Sequence, residues 1–286
     1  MTTLLAVPNV SEGRDRGVLD AIGAAFAAGG ARVLDVHADP DHHRAVFTLA
    51  GAPGRLAHAV AAGAREAVAR IDLDVHGGLH PRVGAIDVAP VVHLDAARRG
   101  AACAEALVLA DLLGRDLGLP VLLYGLLAGG RTRAELRRGG LPALGRRLAQ
   151  SELVPDAGPA VLHPSAGAVL VAARPPLVAF NVELAPPATL ADARAIAARI
   201  RAGGAEGLSG VRAIGLELPD QGIVQVSTNV EDPALASPAA VVAAVARHAP
   251  VARAELVGLA PRAAFAGFPS AVEVRGLRTV EDALES

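Results

Sequence analysis

The chain has 286 residues, long enough for one large domain or two small ones. Its formal charge of −2, with no lysine and no polycation tract, argues against a nucleic-acid partner and excludes Schiff-base and P-loop chemistry, both of which need an amine on a flexible stem. One cysteine, Cys103, cannot form an internal disulfide, which fits a reducing compartment, and the near absence of aromatic residues leaves a core of Ala, Val and Leu.

At the start, "MTTLLAVPNVSEGRD" lacks a basic n-region and its apolar run meets Pro8 and Glu12, so it fails as a secretion signal. No 18-residue apolar stretch is free of charges and breakers, so no membrane span is expected and the cytoplasm is the default location. "LLAVPNV" and "ARVLDVHAD" read as strands. Between them, "RGVLDAIGAAFAAG" has helical spacing and ends on two glycines. "HRAVFTLAG", helix "PGRLAHAVAAGAREAVARI", strand "AIDVAPVV", the helix containing Cys103 and strand "PVLLYG" continue the alternation.

Residues 126–157 lose strand character and carry a short arginine-rich helix broken at Gly139 and Gly140, which reads as a connecting arm. From "AVLVAARPPLVAFNVEL" a second cycle begins: helix "TLADARAIAARIRAGG", strand "VRAIGLEL", turn "PDQG", strand "IVQVSTNV", helix "SPAAVVAAVARHA" and strand "ARAELVGLA". The order β, α, β, β, α, β is the split βαβ arrangement. The expected fold is therefore α/β (α+β): two packed α/β subdomains, each a mixed sheet covered by helices, the second ferredoxin-like. The expected boundary gives 1–173 and 174–286, beside the proline pair Pro175 and Pro176.

Four stretches concentrate residues able to do chemistry. In "VHGGLHPRVG", Pro81 pushes His80 toward extended backbone, Gly77 and Gly78 permit close approach, and Arg82 offers a planar donor fork suited to a carboxylate. An ordinary turn whose histidine caps a carbonyl would read the same way. The i, i+4 spacing of His76 and His80 suggests a zinc helix, but the glycines and the proline argue against a helix there. "DVHADPDHHR" gathers His37, His42 and His43 among three aspartates, yet Asp39, Pro40 and Asp41 are strong turn formers, favouring a turn or substrate loop over a metal site. Arg44 closes that stretch and could pair with a carboxylate.

"PNVSEGRD" joins strand to helix through Asn9, Ser11, Glu12 and Gly13, a loop able to aim donors at an anion. It lacks the glycine spacing of a dinucleotide fingerprint. "PDAGPAVLHPSAGA" sets another His-Pro pair among glycines at the expected junction, as either a ligand loop or a linker would. Asp87, in the apolar strand "AIDVAPVV", needs a partner, because such strands seldom keep an unpaired acid.

Taken in order, "VPNVSEG", "DVHADPDHHR" leading to "VFTLAG", "HPRVGAIDVAP", "VLLYG", "PDAGP" with "HPSAGA", "LVAFNVEL", "QVSTN" and "ELVGLAP" resemble the formiminotransferase domain family, from about residue 5 to about residue 262. The resemblance implies transfer of a formimino group from N-formimino-L-glutamate to N5 of tetrahydrofolate, within histidine degradation and one-carbon metabolism. It implies two subdomains with a folate tunnel between them and a homodimer, with tetrahydrofolate as co-substrate and no metal. The family's catalytic histidine matches His80, and Asn9, Arg44, Arg82 and Asp87 are the expected substrate-binding residues. Its folate-binding segment matches Gly158, Pro159, Ala160, Val161, Leu162, His163, Pro164, Ser165, Ala166 and Gly167.

Where the family commonly reads His-Lys-Gly-Glu-His-Pro-Arg, this chain has His76, Gly77, Gly78, Leu79, His80. Its Ser165, Ala166, Gly167 stands for Ser-Trp-Gly, and Glu183 stands where a neutral Asn is usual. Two readings from other classes remain beside the transferase: a noncatalytic folate- or small-ligand-binding dimer on the same scaffold, and a metal-dependent hydrolase using His37, His42 and His43.

Overall fold

The computed structural model describes residues 3–219 and 221–286. Met1 and Thr2, at the head of the segment tested as a secretion signal, and Asp220, inside the expected turn "PDQG", lie outside the described residues. The chain divides into two compact units, Met1–Pro175 and Pro176–Ser286. Among the described residues no helix is long and apolar enough to cross a membrane.

The first unit runs β1 (Leu4–Ala6), β2 (Asn9–Val10), α1 (Arg16–Ala28), β3 (Arg32–Asp39), β4 (Arg44–Gly51), α2 (Leu56–Arg70), β5 (Ile86–Val92), α3 (Arg99–Leu117), β6 (Val121–Leu123), α4 (Arg133–Arg137), α5 (Gly140–Ala149) and β7 (Val169–Arg174). β1 and β2 both lie between β4 and β5, a single line of strand interrupted before Pro8, which has no N–H to give to a ladder. Across the sheet the order is β3, β4, β1 with β2, β5, β7, β6. Pairing is antiparallel up to β5 and parallel from β5 through β7 to β6. Asn9, Arg44 and Asp87 thus sit on three adjacent strands.

The parallel strands are apolar on both faces because both faces are covered. In β7, Val169, Val171 and Ala173 join the core that includes Phe26 of α1, Val60 of α2 and Leu109 of α3. Leu170 and Ala172 point the other way, into a second core with Leu136 of α4 and Leu144 and Leu148 of α5. This corrects the reading of 126–157 as a connecting arm: its leucines close the second face of the sheet. Arg147 of α5 donates to the carbonyls of Glu135 and Leu136, capping the end of α4, and a reciprocal Thr132–Glu135 capping box fixes its start.

The second unit runs β8 (Val178–Leu184), α6 (Leu190–Ile200), β9 (Val211–Leu218), β10 (Ile223–Val230), α7 (Pro238–Ala246), β11 (Val251–Val257), β12 (Val274–Arg275) and α8 (Val280–Glu285). Its sheet order is β12, β11, β8, β10, β9, antiparallel except for β11 with β12. The order β11, β8, β10, β9 with α6 and α7 as crossovers is the expected ferredoxin-like split βαβ. Phe180 and Val182 of β8 pack with Ile196 of α6 and Val241 of α7. Glu183 accepts hydrogen bonds from Arg253 Nε at 2.6 Å and Arg275 Nη2 at 2.9 Å.

One helix start in the first unit is capped from outside. The residue before α2, Arg55, makes no side-chain cap, and the buried Glu105 of α3 accepts from the backbone N–H groups of Gly54 and Ala57 instead. A carboxylate there satisfies orphan donors and complements the helix dipole. Glu105→Ala is expected to lower unfolding free energy by about 1–3 kcal/mol in urea titrations, since it leaves buried N–H groups unpaired. A change below about 0.5 kcal/mol, the range of ordinary surface substitutions, would contradict this assignment.

Candidate active site

Asp87 is wholly buried on β5 and spends both carboxylate oxygens. Oδ2 accepts from Arg44 Nη1 at 2.6 Å and from Arg137 Nη2, and Oδ1 accepts the backbone N–H of Val83 at 2.8 Å. Arg44 Nη2 donates to Asn9 Oδ1 at 3.0 Å. Burial alone would raise the Asp87 carboxyl, but the guanidinium groups of Arg137 and Arg44 hold it well below the usual carboxylate range. Arg44 is brought down to about 10, chiefly by burial, and stays charged at neutral pH.

The His80 loop is held without helix or strand, by side chains reaching across to it. Arg82 Nη2 donates to the His76 carbonyl at 2.7 Å and Nη1 to the Gly78 carbonyl at 3.0 Å, with a longer contact of 3.5 Å to that of His80. The fork read from sequence as a substrate clamp is therefore engaged with its own loop. The β3–β4 turn grips the same loop: Leu79 N–H donates to Asp41 O at 3.2 Å, and His76 Nε2–H to His43 O at 2.9 Å. Arg14 adds Nε to Pro40 O at 2.9 Å and Nη2 to Gly77 O at 3.4 Å. The rings of His43 and His76 stack with centroids 4.1 Å apart, and His43 Nε2 lies 3.0 Å from Glu12 Oε1, which also accepts three backbone N–H groups opening the loop before α1.

His80 is half-buried and packs edge-to-face on His42, with ring centroids 5.9 Å apart. Its Nδ1 is sealed from solvent and has no hydrogen-bond partner. Burial, then the charges of Arg44 and Arg137, push the ring well below the ordinary histidine value, against the opposing pull of Asp87. His80 is thus a neutral imidazole at physiological pH. His42 is itself steadied by Asp39, through its backbone N–H to Oδ1 at 2.8 Å and Nδ1 to Oδ2 at 3.6 Å.

The segment 158–167 divides in two. Its far end comes beside the His80 loop: Leu73 N–H donates to Ser165 O at 2.9 Å, Ala85 N–H to Ala166 O at 2.9 Å, and just beyond it Ala168 N–H to Val83 O at 2.8 Å. His163 and Gly167 exchange backbone hydrogen bonds of 2.9 Å, closing a tight turn. Both glycines at this seam are required. A Cβ on Gly84 would lie 1.8 Å from the Ala168 carbonyl oxygen, and one on Gly167, whose φ is 69°, 2.3 Å from that of Val83. The near end lies elsewhere, with Gly158 against Gly114 and Leu119 at the end of α3.

The structure therefore brings together Asn9, Arg44, His80 and Asp87, places Arg82 behind the loop, and sets residues 165–167 beside it. The residue that the sequence reading missed is Arg137. Its signal was the leucine spacing at 136, 141, 144 and 148, which implies a buried face on the arm, together with the need of Asp87 for cations. Among the described residues no group of three or more His, Cys, Asp or Glu is arranged to hold a metal ion.

A neutral histidine beside a buried cationic cluster has what acid–base chemistry asks of a side chain. Comparison with known proteins narrows this. The formiminotransferase domain, N-terminal subdomain, matches residues 3–174, and the formiminotransferase domain model matches residues 179–269. Glutamate formimidoyltransferase of Streptococcus pyogenes is 36% identical over 228 residues, 78% of this chain and 76% of that protein. The protein of the same name from Thermoplasma acidophilum is 35% identical over 236 residues, 80% of this chain and 77% of its own length. Formimidoyltransferase-cyclodeaminase of Sus scrofa is 37% identical over 273 residues, 89% of this chain but 49% of that protein, so the chain spans about half the length of this longer relative. The chain belongs to the formiminotransferase domain family.

The state of His76 makes stability depend on pH. Burial first, then Arg82, brings His76 down to about 4. An unfolded histidine takes a proton near pH 6.5, whereas folded His76 resists until about pH 4. Unfolding free energy is therefore expected to fall as pH drops from about 6.5 toward 4, and His76→Asn should flatten that slope. An identical slope in the variant, measured by denaturant titration across this window, would contradict the assignment.

Proposed function

We propose that the protein transfers the formimino group of N-formimino-L-glutamate to N5 of tetrahydrofolate, giving 5-formiminotetrahydrofolate and L-glutamate, with His80 as general acid and base. The observation that carries this reading is a neutral, half-buried imidazole beside the Arg44–Asp87–Arg137 cluster, within the stretch matched by the N-terminal subdomain model. The names of the Streptococcus and Thermoplasma relatives support the same reaction.

The reaction asks for a proton to be taken from an attacking amine and one to be given to the departing glutamate nitrogen. A ring that is neutral before reaction accepts the first and returns it as the second, a role worth about 10²–10⁴-fold. Juxtaposing the two substrates supplies much of the remainder. Tetrahydrofolate is the co-substrate and would lie along the 158–167 segment. Ser165 to Gly167 abut the His80 loop there, and the carbonyls and N–H groups of the exposed Ala160 and Val161 are open to a ligand. Arg82 serves as a positioning residue, since its donors fix the loop that carries His80. Asp87 acts through Arg44 and Arg137 in the same sense.

Purified protein mixed with formiminoglutamate and tetrahydrofolate should give 5-formiminotetrahydrofolate by absorbance, and His80→Ala should lower kcat/KM by about 10²–10⁴-fold. The acid limb of the kcat/KM profile should fall well below pH 6.5, because the base is lost only when His80 is protonated. Equal inertness of wild type and variant, or a limb at or above the ordinary histidine value, would count against this function.

A further inference from the structure

We propose that Arg137, together with Arg44, forms a carboxylate-binding subsite on the buried Asp87, and that the carboxylate of the donor substrate occupies it beside His80. The identity of that ligand as the donor rests on the transferase reading; the subsite itself rests on charge and geometry in the first unit.

Two guanidinium groups meet a single carboxylate in this cluster, so one positive charge is in excess. Among the charged groups that act most strongly on His80, only Asp87 is acidic. The groups facing that ring are Arg44 from β4, Arg137 from α4, Asp87 from β5 and His42 from the β3–β4 turn. His42 turns toward Asp39, and Arg133 adds further positive charge near Arg44. A buried cluster carrying net charge costs free energy that a counter-ion recovers.

Arg137 is the member with donor capacity left. One of its nitrogens is on Asp87, while Nε is sealed from solvent with no protein partner. Arg44, by contrast, divides its two terminal nitrogens between Asp87 and Asn9. A planar guanidinium fork suits a carboxylate. A carboxylate presents two coplanar oxygens to this fork and offsets part of the positive charge gathered by Arg44, Arg137 and Arg133.

The placement has a chemical consequence. A carboxylate on Arg137 would offset the two cations that depress His80, so that binding of the donor would raise the ring's affinity for a proton. The neutral ring would then be a stronger base toward the attacking amine before it returns that proton to the departing nitrogen.

The test uses glutarate, with glutaramide and inorganic phosphate as comparison probes, on the full chain carrying 13C-labelled histidine. Calorimetry should show glutarate binding in preference to both comparison probes. NMR titration of the His80 ring should show its midpoint rising when glutarate is bound. Arg137→Gln should weaken glutarate by about tenfold or more, with Arg137→Lys falling between it and wild type. Circular dichroism identifies a variant that fails to fold, in which case Arg137→Lys alone carries the comparison. Glutarate affinity unchanged in both folded variants, or glutaramide or phosphate binding as well as glutarate, would overturn the subsite. Glutarate binding that depends on Arg137 in a protein inert toward formiminoglutamate would support the subsite and sink the transferase reading instead.

Discussion

A single buried carboxylate organises the first unit. Asp87 could not remain ionised at zero exposure without cations at hand, and it draws one from the start of β4, one from the end of α4 and a backbone N–H from the segment after the His80 loop. Three elements distant in sequence converge on one atom group. The strand carrying Asp87 is otherwise apolar and covered on both faces, so the polar cluster is an island whose positions are set by the packing around it.

From that island the electrostatics of the site follow. The same arginines that neutralise Asp87 depress His80, and burial of the loop depresses His76 and His43 with it. Three histidines close together would repel one another if charged. Held neutral, His43 and His76 stack and His76 donates to the His43 carbonyl. Chemistry at neutral pH then needs no charged imidazole in the resting protein. The two loops that carry these rings have no ladder of their own and are held by Arg82, Arg14, Leu79 and His76 reaching to backbone carbonyls. This chain therefore keeps a defined loop with Gly77 and Leu79 on either side of Gly78.

Much of the fold was legible because its signals are local. Apolar runs bounded by glycine and proline marked β3, β4, β5 and β7, and the spacing of small aliphatic residues marked α1, α2, α3 and α6. The second unit's strand and helix order pointed to its topology for the same reason. In the site, His80 was legible through the proline and glycines around it, and Asp87 through its misfit with an apolar strand. What was not legible depends on distance: Arg137 reaches Asp87 across 50 positions, and no local pattern says which of many arginines does so. Arg82 shows the limit of local reading in another way. Its nearness to His80 suggested a shared ligand, but a guanidinium two residues from a loop carbonyl can turn inward and tie the loop instead.

The account stands on Asp87 as the anchor of this cluster. Urea denaturation of Asp87→Asn against wild type at neutral pH measures that most directly, because the substitution nearly keeps volume while removing the charge that Arg44 and Arg137 share and one of the two acceptor oxygens. A loss of about 3–5 kcal/mol is expected, the cost of leaving buried cations without their counter-ion. A loss under about 0.5 kcal/mol would mean that the arginines do not depend on Asp87, and the arrangement derived from it would fail.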